Sequence, residues 1–458
     1  MYDFNSLRKA YPEFVYKSYS YKFENSHLNI KYDFEIPGLS SFSPEWSFPV
    51  TENNNLPGDE LIENLVFSLG MVELISYWKA ACPPVVKVIP HGLDSEMIYW
   101  WKELYFGGLG EFFYTNGISA DFDTFMHISA DNNSVIKPSM PLELEGNLVP
   151  VGGGKDSSVT LSVLKASNQF SVPYIINSRG ATDETCEAAG LGEVAYKVKR
   201  TIDKSLIDLN KRGFLNGHTP FSAIVAFSSL IAAVLTKKKY VVLSNESSAN
   251  ESTVLGEDVN HQFSKGEVFE KNFIEYQKKY INCGVEYFSF LRPLSEMQIA
   301  ALFSAYKEYH SVFRSCNAGS KSNIWCCDCP KCLFVYVILS PFLKTEELIA
   351  VFGENLLEKE SLLDTYKELT GVYPNKPFEC VGSRDEVICA SRYTLEKMTE
   401  NGERVPYLLE YFKEHIDFES NDMSYYMSFW DECNHLPDEY IEFLQKELRE
   451  HTKNVSEN

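Results

Sequence analysis

Between residues 146 and 345, short apolar runs alternate with stretches of helical pattern, and this alternation constrains the fold more than any other feature. The apolar runs are NLVPV, VPYIIN and YVVLSNE, and the helical stretches among them are SSVTLSVLKA and FSAIVAFSSLIAAVLTKKK. The second and third runs are typical of buried parallel strands. Repetition of strand, loop and helix predicts an α/β fold with a doubly wound, mainly parallel sheet.

The flanking regions have different patterns, so we expect three domains. Residues 1–145 read as an α+β domain, with a strand hairpin around the turn Glu24-Asn25-Ser26 and a helix in DELIENLVFSLGMVELISYW. The segment WWKELYFGGLGEFFYTN is expected either to form a cleft wall for substrate or to fill the core. Residues 146–345 would be the catalytic domain, and residues 346–458 a mostly helical region.

Composition narrows the classes of partner. The 42 basic and 64 acidic side chains give a net charge of −22, which disfavours a nucleic-acid partner. The amino-terminal stretch MYDFNSLRKAYPEF has no signal-peptide pattern, and we expect a cytoplasmic protein without a membrane span. The sequence does not indicate an oligomeric state.

The run VPVGGGKDSSVT places three glycines between a predicted strand and a predicted helix. Exposed backbone N–H groups and the positive end of a helix favour an anion there, and glycine lets the backbone approach it. Walker A spacing fails, because position 149 is Val and Asp156 follows Lys155. The dinucleotide fingerprint fails because position 157 is Ser. A glycine turn without a ligand is the alternative.

The run does resemble the PP-loop pattern Ser-Gly-Gly-x-Asp-Ser, with the six positions at Gly152, Gly153, Gly154, Lys155, Asp156 and Ser157. PP-loop enzymes cleave ATP between the α and β phosphates and adenylate a carbonyl or carboxylate oxygen. The resemblance implies that this turn binds pyrophosphate, that Asp156 holds Mg²⁺ and that Ser157 donates at the helix start. Gly152 replaces the usual first serine, and Lys155 would supply the missing positive contact.

Five of the eleven cysteines lie between positions 316 and 332. Four of them have the spacing C-x9-C-x2-C-x2-C, at Cys316, Cys326, Cys329 and Cys332. Four thiolates suit a closed tetrahedral zinc site, so we predict structural Zn²⁺. Cys327 is an alternative ligand to Cys326. A reactive thiol pair and ordinary buried cysteines are the competing interpretations.

Polar residues follow the run YVVL, at what would be the carboxyl end of a strand. Ligands bind at such strand ends in open α/β sheets. We therefore expect Ser244, Asn245 and Glu246 to contact nucleotide. Side chains of nearby segments are expected to bind substrate: Arg179, Asn250, Glu251, Lys265 and Arg292.

The start of the following FSAIVAF helix has a simpler interpretation. Thr219 is expected to cap this helix and Pro220 to lie in its first turn, with His218 serving the same capping geometry.

Several segments together resemble the family of ATP-dependent UDP-N-acetylmuramoyl-L-alanyl-L-glutamate epimerases: PVGGGKDS, GHTPFSA, LSNESSANE, VNHQFSK, CDCPKCLFVYVILSPF and KPFECVG. The resemblance extends from about residue 80 to 390 and includes GLGEFFYTN. It implies inversion of the terminal L-Glu of UDP-MurNAc-L-Ala-L-Glu through a carboxyl adenylate, with release of AMP and pyrophosphate, during synthesis of peptidoglycan precursors.

Inversion at a carbon needs a proton acceptor and a proton donor on opposite faces. The candidates are Cys380 and His261, with Lys155 or Lys265 behind them and Asp156 in the catalytic set. Cys380 as a packing thiol and His261 as a structural side chain are the alternatives.

Two other functions remain open from the sequence. One is another PP-loop adenylating enzyme, such as a deazaguanine nitrile synthase, whose cysteines have the same order, or an enzyme that forms amides or thiolated tRNA. The other is a nucleotide-binding module without catalysis.

Overall fold

The computed structural model describes residues 3–50, 57–130, 132, 134–253, 260–417 and 419–451. The chain is an α/β protein with a large mixed sheet and many helices. The predicted α/β class is confirmed. The sheet as a whole is mixed, because the strands of the amino-terminal region, expected to be an α+β domain, pair largely in antiparallel fashion. A doubly wound, mainly parallel sheet in residues 146–345 stays a prediction.

The strands are β1 (Glu13–Glu24), β2 (His27–Ile36), β3 (Ser40–Phe42), β4 (Glu45–Pro49), β5 (Val85–Val88), β6 (His127–Ala130), β7 (Asn147–Pro150), β8 (Ser171–Ile176), β9 (Tyr196–Thr201), β10 (Tyr240–Leu243) and β11 (Glu286–Ser289). The first helices are α1 (Phe4–Ala10), α2 (Asp59–Trp78), α3 (Ser95–Gly108), α4 (Gly110–Thr115), α5 (Lys155–Ala166), α6 (Gly180–Ala188), α7 (Lys204–Lys211), α8 (Phe221–Thr236) and α9 (Glu267–Tyr280). The later helices are α10 (Glu296–Ala305), α11 (Pro330–Leu339), α12 (Thr345–Phe352), α13 (Leu363–Leu369), α14 (Arg384–Glu400), α15 (Tyr407–His415), α16 (Met423–Ser428) and α17 (Asp438–His451).

The chain folds into two compact units, each built from separate stretches. The first unit consists of Met1–Leu148, Tyr196–Val241 and Val259–Tyr287. The second consists of Val149–Ala195, Val242–Asp258 and Phe288–Asn458. The division into domains 1–145, 146–345 and 346–458 stays a prediction.

In the first unit, strands run in the order β9-β4-β2-β1-β5-β6, with β3 beside β2. The predicted hairpin is confirmed, since β1 and β2 are antiparallel and meet at Asn25 and Ser26, both with positive φ. Helix α2 begins with acidic residues after Gly58 and supplies much of the core. It is the one helix among the described residues that is long and apolar enough to cross a membrane, yet 94% of its apolar stretch is buried inside the protein, as in a core helix.

Elsewhere in the sheet the strand order is β11-β10-β7-β8, and β10 is parallel to β7. The three predicted runs all form strands, namely β7, β8 and β10. Helix α5 follows the glycine turn and packs against α10, while α11 packs against α14. The turn after β7 and the polar segment after β10 therefore lie at the carboxyl ends of neighbouring strands.

The start of α8 differs from the prediction. Its N-cap residue is Pro220, without a side-chain capping bond. Thr219 is not the cap, because its Oγ1 accepts a hydrogen bond of 2.6 Å from Lys79 Nζ. The Thr219 hydroxyl oxygen therefore accepts a hydrogen bond from the Lys79 ammonium and not from a backbone N–H of α8, as a helix cap would.

Candidate active site

The glycine turn joins β7 to α5, and each glycine has different surroundings. Gly153 has φ +84°, and a Cβ there would lie 2.9 Å from the backbone carbonyl carbon of Ala181. A Cβ on Gly154 would lie 2.7 Å from Ser315 Oγ. A Cβ on Gly152 would meet nothing within 4 Å. Only the first position, where PP-loops have serine, therefore has room for a side chain.

Lys155 is the first residue of α5 and is 2% exposed. Its ammonium contacts the carboxylates of Asp156 and Glu296. Burial alone would lower the pKa of Lys155, but the neighbouring carboxylates outweigh burial and raise it well above its usual range. The lysine is therefore a charged group held by acids. The side chain of Asp156 is 32% exposed at the start of the helix.

Two buried glutamates complete this acidic cluster. Burial raises the pKa of Glu296 above its usual range, although the Lys155 ammonium opposes this increase. Glu386 accepts a hydrogen bond of 2.7 Å from the backbone N of Glu296, and burial raises its pKa as well. Neither residue was singled out from the sequence. Each lies more than 130 residues after the glycine turn, and no motif marks it.

The polar segment after β10 lies beside α5. Ser244 Oγ is 2.8 Å from Thr160 Oγ1, and Asn245 donates to Ser289 Oγ at 2.9 Å. Glu246 is 4% exposed, and its Oε2 has no hydrogen-bond partner among the described residues. Its carboxylate acts electrostatically on Lys155. Glu246 therefore lies near Lys155 at the glycine turn, whereas Asn245 is hydrogen-bonded to the neighbouring strand. Nucleotide contacts from these residues stay a prediction.

The predicted substrate residues have varied positions. Arg292 is fully buried and donates to the carbonyl oxygen of Glu246 at 2.6 Å, so it supports the polar segment. Glu251 Oε2 accepts from Lys376 Nζ at 2.6 Å, which joins this segment to KPFECVG and its half-buried Cys380. Asn250 is exposed at the end of a short 3-10 helix.

The remaining two substrate candidates belong to different units. Arg179 is exposed at the N-cap of α6 in the second unit, where it donates to Ser320 Oγ at 3.3 Å. Lys265 belongs to the first unit, as does His261. The roles assigned to all these residues stay predictions.

The cysteine cluster has the geometry of a metal site. Sulfur–sulfur distances are 3.9 Å for Cys316 and Cys329, 3.7 Å for Cys326 and Cys332, and 3.5 Å for Cys329 and Cys332. Tetrahedral zinc, with Zn–S near 2.3 Å, would separate sulfurs by about 3.8 Å. Cys327 Sγ instead donates to the carbonyl oxygen of Phe352 at 3.1 Å. The group that could hold a metal thus contains Cys326 and not Cys327.

The first unit contains a cluster of two histidines and a glutamate that the sequence alone did not indicate. His261 Nδ1 contacts Glu111 Oε2, and His218 Nδ1 is 3.2 Å from the same oxygen. The centroids of the two imidazole rings are 4.5 Å apart. Burial and the neighbouring His261 lower the pKa of His218 to about 4, so its ring is neutral at neutral pH. His218 therefore belongs to this cluster and not to the cap of α8. Two segments that resemble the family contain residues of this cluster: GLGEFFYTN contains Glu111 and GHTPFSA contains His218. They were the available sequence signal, although Glu111 itself was not singled out.

Comparison with known proteins agrees with this arrangement of segments. The family described as MurL N-terminal domain matches residues 5–290, and the family described as MurL C-terminal domain matches residues 311–421. The chain belongs to this family. The first match contains the glycine turn, the polar segment after β10 and the histidine cluster, and the second contains the four cysteines and Cys380.

Three relatives of the chain are each named UDP-N-acetyl-alpha-D-muramoyl-L-alanyl-L-glutamate epimerase. Those from Micromonospora sp. and Salinispora tropica are 34% identical, covering 84% of this chain and 87% and 85% of their own lengths. The relative from Xanthomonas oryzae pv. oryzae is 34% identical over 69% of this chain and 71% of its own. The family resemblance predicted from the sequence is confirmed, and with it the prediction of an isomerase.

Proposed function

We propose that the protein inverts the terminal L-glutamate of UDP-MurNAc-L-Ala-L-Glu to D-glutamate, a step in peptidoglycan precursor synthesis. The observation that carries this proposal is the match of both family domains, together with relatives of that name over 69% to 84% of the chain. The substrate is accordingly a small nucleotide-sugar peptide, and we expect the reaction in the cytoplasm.

We propose further that the second unit has a PP-loop fold and that inversion depends on ATP. The α-hydrogen beside a carboxylate is very weakly acidic, because its removal creates a dianion. In the proposed route, a carboxylate oxygen attacks the α-phosphorus of ATP, the α–β phosphoanhydride bond breaks, and pyrophosphate leaves. The resulting mixed anhydride carries no carboxylate charge, so the α-proton can be removed and another added on the opposite face. Water then cleaves the anhydride and releases AMP.

The residues around the glycine turn support this route. Backbone N–H groups of Gly152, Gly153 and Gly154 and the start of α5 would bind the leaving pyrophosphate, with Ser157 as a further donor. Asp156 would hold Mg²⁺, which neutralises phosphate charge when bound. The orphaned Oε2 of Glu246 fits a cation nearby, since a buried carboxylate oxygen without a partner is costly. The four cysteines would hold structural Zn²⁺.

Proton transfer is assigned to two side chains. We propose Cys380 and His261 as the groups that remove and return the α-proton, with Lys155 or Lys265 assisting. Hydrogen bonds and ion pairs from Arg179, Asn250, Glu251, Lys265 and Arg292 would bind substrate.

The test incubates the purified chain with UDP-MurNAc-L-Ala-L-Glu, Mg²⁺ and ATP in D₂O. We expect D-glutamate after acid hydrolysis and chiral chromatography, deuterium at its α-carbon, and pyrophosphate and AMP in equal amounts. Asp156→Ala should abolish AMP formation, whereas Asp208→Ala, at an exposed position of α7, should leave it unchanged.

Each part of the proposal fails separately. Unchanged L-glutamate with ATP present would overturn the epimerase assignment. Inversion without ATP would retain the epimerase and overturn the adenylate route. Parent-like AMP formation by Asp156→Ala would overturn the role of the glycine turn.

A further inference from the structure

Three side chains of the types that bind metals converge in the first unit, although they are far apart in sequence. Glu111 lies on α4, His218 precedes α8, and His261 lies before α9. One ligand atom from each lies within 4.8 Å of the other two. We propose that Glu111, His218 and His261 form a second metal site, which takes a divalent transition-metal ion such as Zn²⁺ and leaves one coordination position open for an oxygen ligand.

Two glycines hold the three segments together. A Cβ on Gly107 would lie 2.4 Å from the ring of Phe263, which is two residues after His261. A Cβ on Gly108 would lie 2.7 Å from Pro220, which is two residues after His218. The end of α3 therefore packs directly against both histidine segments, just before the chain reaches Glu111. Side chains at these positions would push the ligands apart.

A buried lysine fixes the backbone at His218. Lys79 is 6% exposed, and its ammonium donates to the carbonyl oxygens of Gly217 and His218 and to Thr219 Oγ1. These hydrogen bonds to three consecutive residues constrain the backbone of residues 217–219, and this backbone orients the His218 imidazole toward Glu111. Support of this kind around the ligands is typical of metal sites.

The donor types and the separation of His218 from Glu111 suit the ion. Zinc binds imidazole nitrogen and carboxylate oxygen at about 2.0–2.2 Å, which places ligand atoms of a tetrahedral set about 3.3 Å apart. The separation of His218 Nδ1 from Glu111 Oε2 is 3.2 Å. Three protein ligands with an open fourth position are characteristic of zinc sites that bind water or a substrate oxygen. The three side chains are 13% to 20% exposed, so such a ligand can reach the ion.

The experiment counts zinc in the full chain without substrate, so its result does not depend on the proposed epimerase activity. The protein is stripped with chelator, titrated with Zn²⁺, dialysed and measured by elemental analysis. We expect about two equivalents in the parent, one for each site, and about one in Glu111→Gln and in His261→Ala. Cys329→Ser should lose the other equivalent.

The matched control is a second histidine–glutamate pair of the same unit. His91 Nε2 is 3.5 Å from Glu63 Oε1, and this pair belongs to no group of three possible metal ligands among the described residues, so His91→Ala should keep about two equivalents. Cobalt replaces zinc as a second readout. Glu111→Gln should retain the thiolate-to-cobalt absorption of the cysteine site and lose only the weaker bands.

Unchanged zinc in both Glu111→Gln and His261→Ala would overturn the site and leave a hydrogen-bonded triad. One equivalent in the parent, lost entirely in Cys329→Ser, would overturn it as well. Metal binding would use Nδ1 of His261, so the zinc count also decides whether that nitrogen is available for proton transfer.

Discussion

At the scale of single residues, the glycine turn is defined by what a side chain would meet. Gly153 combines a positive φ with a close approach to Ala181, so only glycine fits there, whereas Gly152 faces open space. The backbone conformation therefore requires glycine at position 153, whereas position 152 has room for a serine.

Replacing Gly153 and Gly152 should have opposite outcomes. Gly153→Ala should lower the free energy of unfolding by about 1–3 kcal/mol, because alanine is strained at this positive φ. It should also reduce the rate of pyrophosphate release at least about tenfold, because the added Cβ displaces the turn. Gly152→Ser should retain stability and turnover, since its Cβ has room. Both are measured by urea unfolding and by a pyrophosphate assay. Equal loss in the two variants would contradict this account of the turn.

Removing the buried ammonium should destabilise the second unit strongly. Lys155→Met leaves the carboxylate cluster around Glu296 without its cation, and we expect a loss of about 3–5 kcal/mol in the free energy of unfolding. Lys211→Met is the control, because Lys211 is 74% exposed in its pair with Asp208 and should cause no measurable change. A parent-like midpoint for Lys155→Met would show that the acids relax without the lysine.

The sequence indicated the residues of the glycine turn because backbone chemistry and helix start occur within six consecutive positions. It did not indicate Glu296 or Glu386, since an acid at a helix start is usually a solvated capping residue. Only the packing of α10 and α14 buries these two carboxylates. Glu111 was missed because its histidine partners come from two remote segments.

At the scale of elements, the cysteine cluster depends on the start of α11. Cys329 is the N-cap residue of this helix and Pro330 its first residue, so the helix start directs two of the four thiols. Cys327 has φ +56° and points to Phe352 instead.

Neighbouring cysteines should therefore differ in their effect on metal. Cys329→Ser should lose about one zinc equivalent and lower the melting temperature, because structural zinc contributes folding energy. Cys327→Ser should keep its zinc and show only a modest loss of stability from packing. Elemental analysis and thermal unfolding give both quantities. Zinc loss in Cys327→Ser alone would reverse the ligand assignment.

The hairpin between β1 and β2 allows a gain of stability. Ser26 has φ +56°, a region that favours glycine, so Ser26→Gly should raise the free energy of unfolding by about 0.5–1 kcal/mol. Ser20→Gly, in the middle of β1, should lower it by about 0.5–1 kcal/mol. Urea unfolding compares the two. A loss of stability in Ser26→Gly would mean that the serine contributes more than its strained backbone costs.

Elements with local signals were predictable: the hairpin, α2, and strands β7, β8 and β10. The antiparallel pairing of β4 with β9 was not, because Trp46 lies opposite Arg200 and no local pattern joins positions so far apart. The prediction of the α8 cap failed for a related reason, since Lys79 directly follows α2, which is distant in sequence.

At the scale of the whole molecule, neither compact unit is a continuous piece of chain. In the second unit, α5 from its first stretch packs against α10 and α17 from its last. The helices after residue 290 therefore bury part of their apolar surface against an element that precedes them by more than 100 residues.

A fragment of residues 291–458 should consequently fail to fold alone, although it contains the whole carboxyl-terminal family match. We expect no cooperative thermal transition and increased binding of a hydrophobic dye, because the surface that α5 covers is exposed. Circular dichroism of the fragment beside the full chain, both supplied with Zn²⁺, provides the measurement. A cooperative transition near that of the full chain would show that the carboxyl-terminal helices are independent.

The pairing of β4 with β9 also has a consequence for the newborn chain. Pro49 ends one strand and Thr201 ends the other, 152 residues later. At a ribosomal rate of about 5–20 residues per second, β9 is synthesised roughly 8 to 30 s after β4. During that interval the backbone N–H and C=O groups of residues 45–47 that will pair with β9 are unpaired, and another polypeptide can bind to this exposed strand edge. Expression yield should therefore respond to chaperones that shield nascent chains more than the marginal stability of the finished protein would suggest.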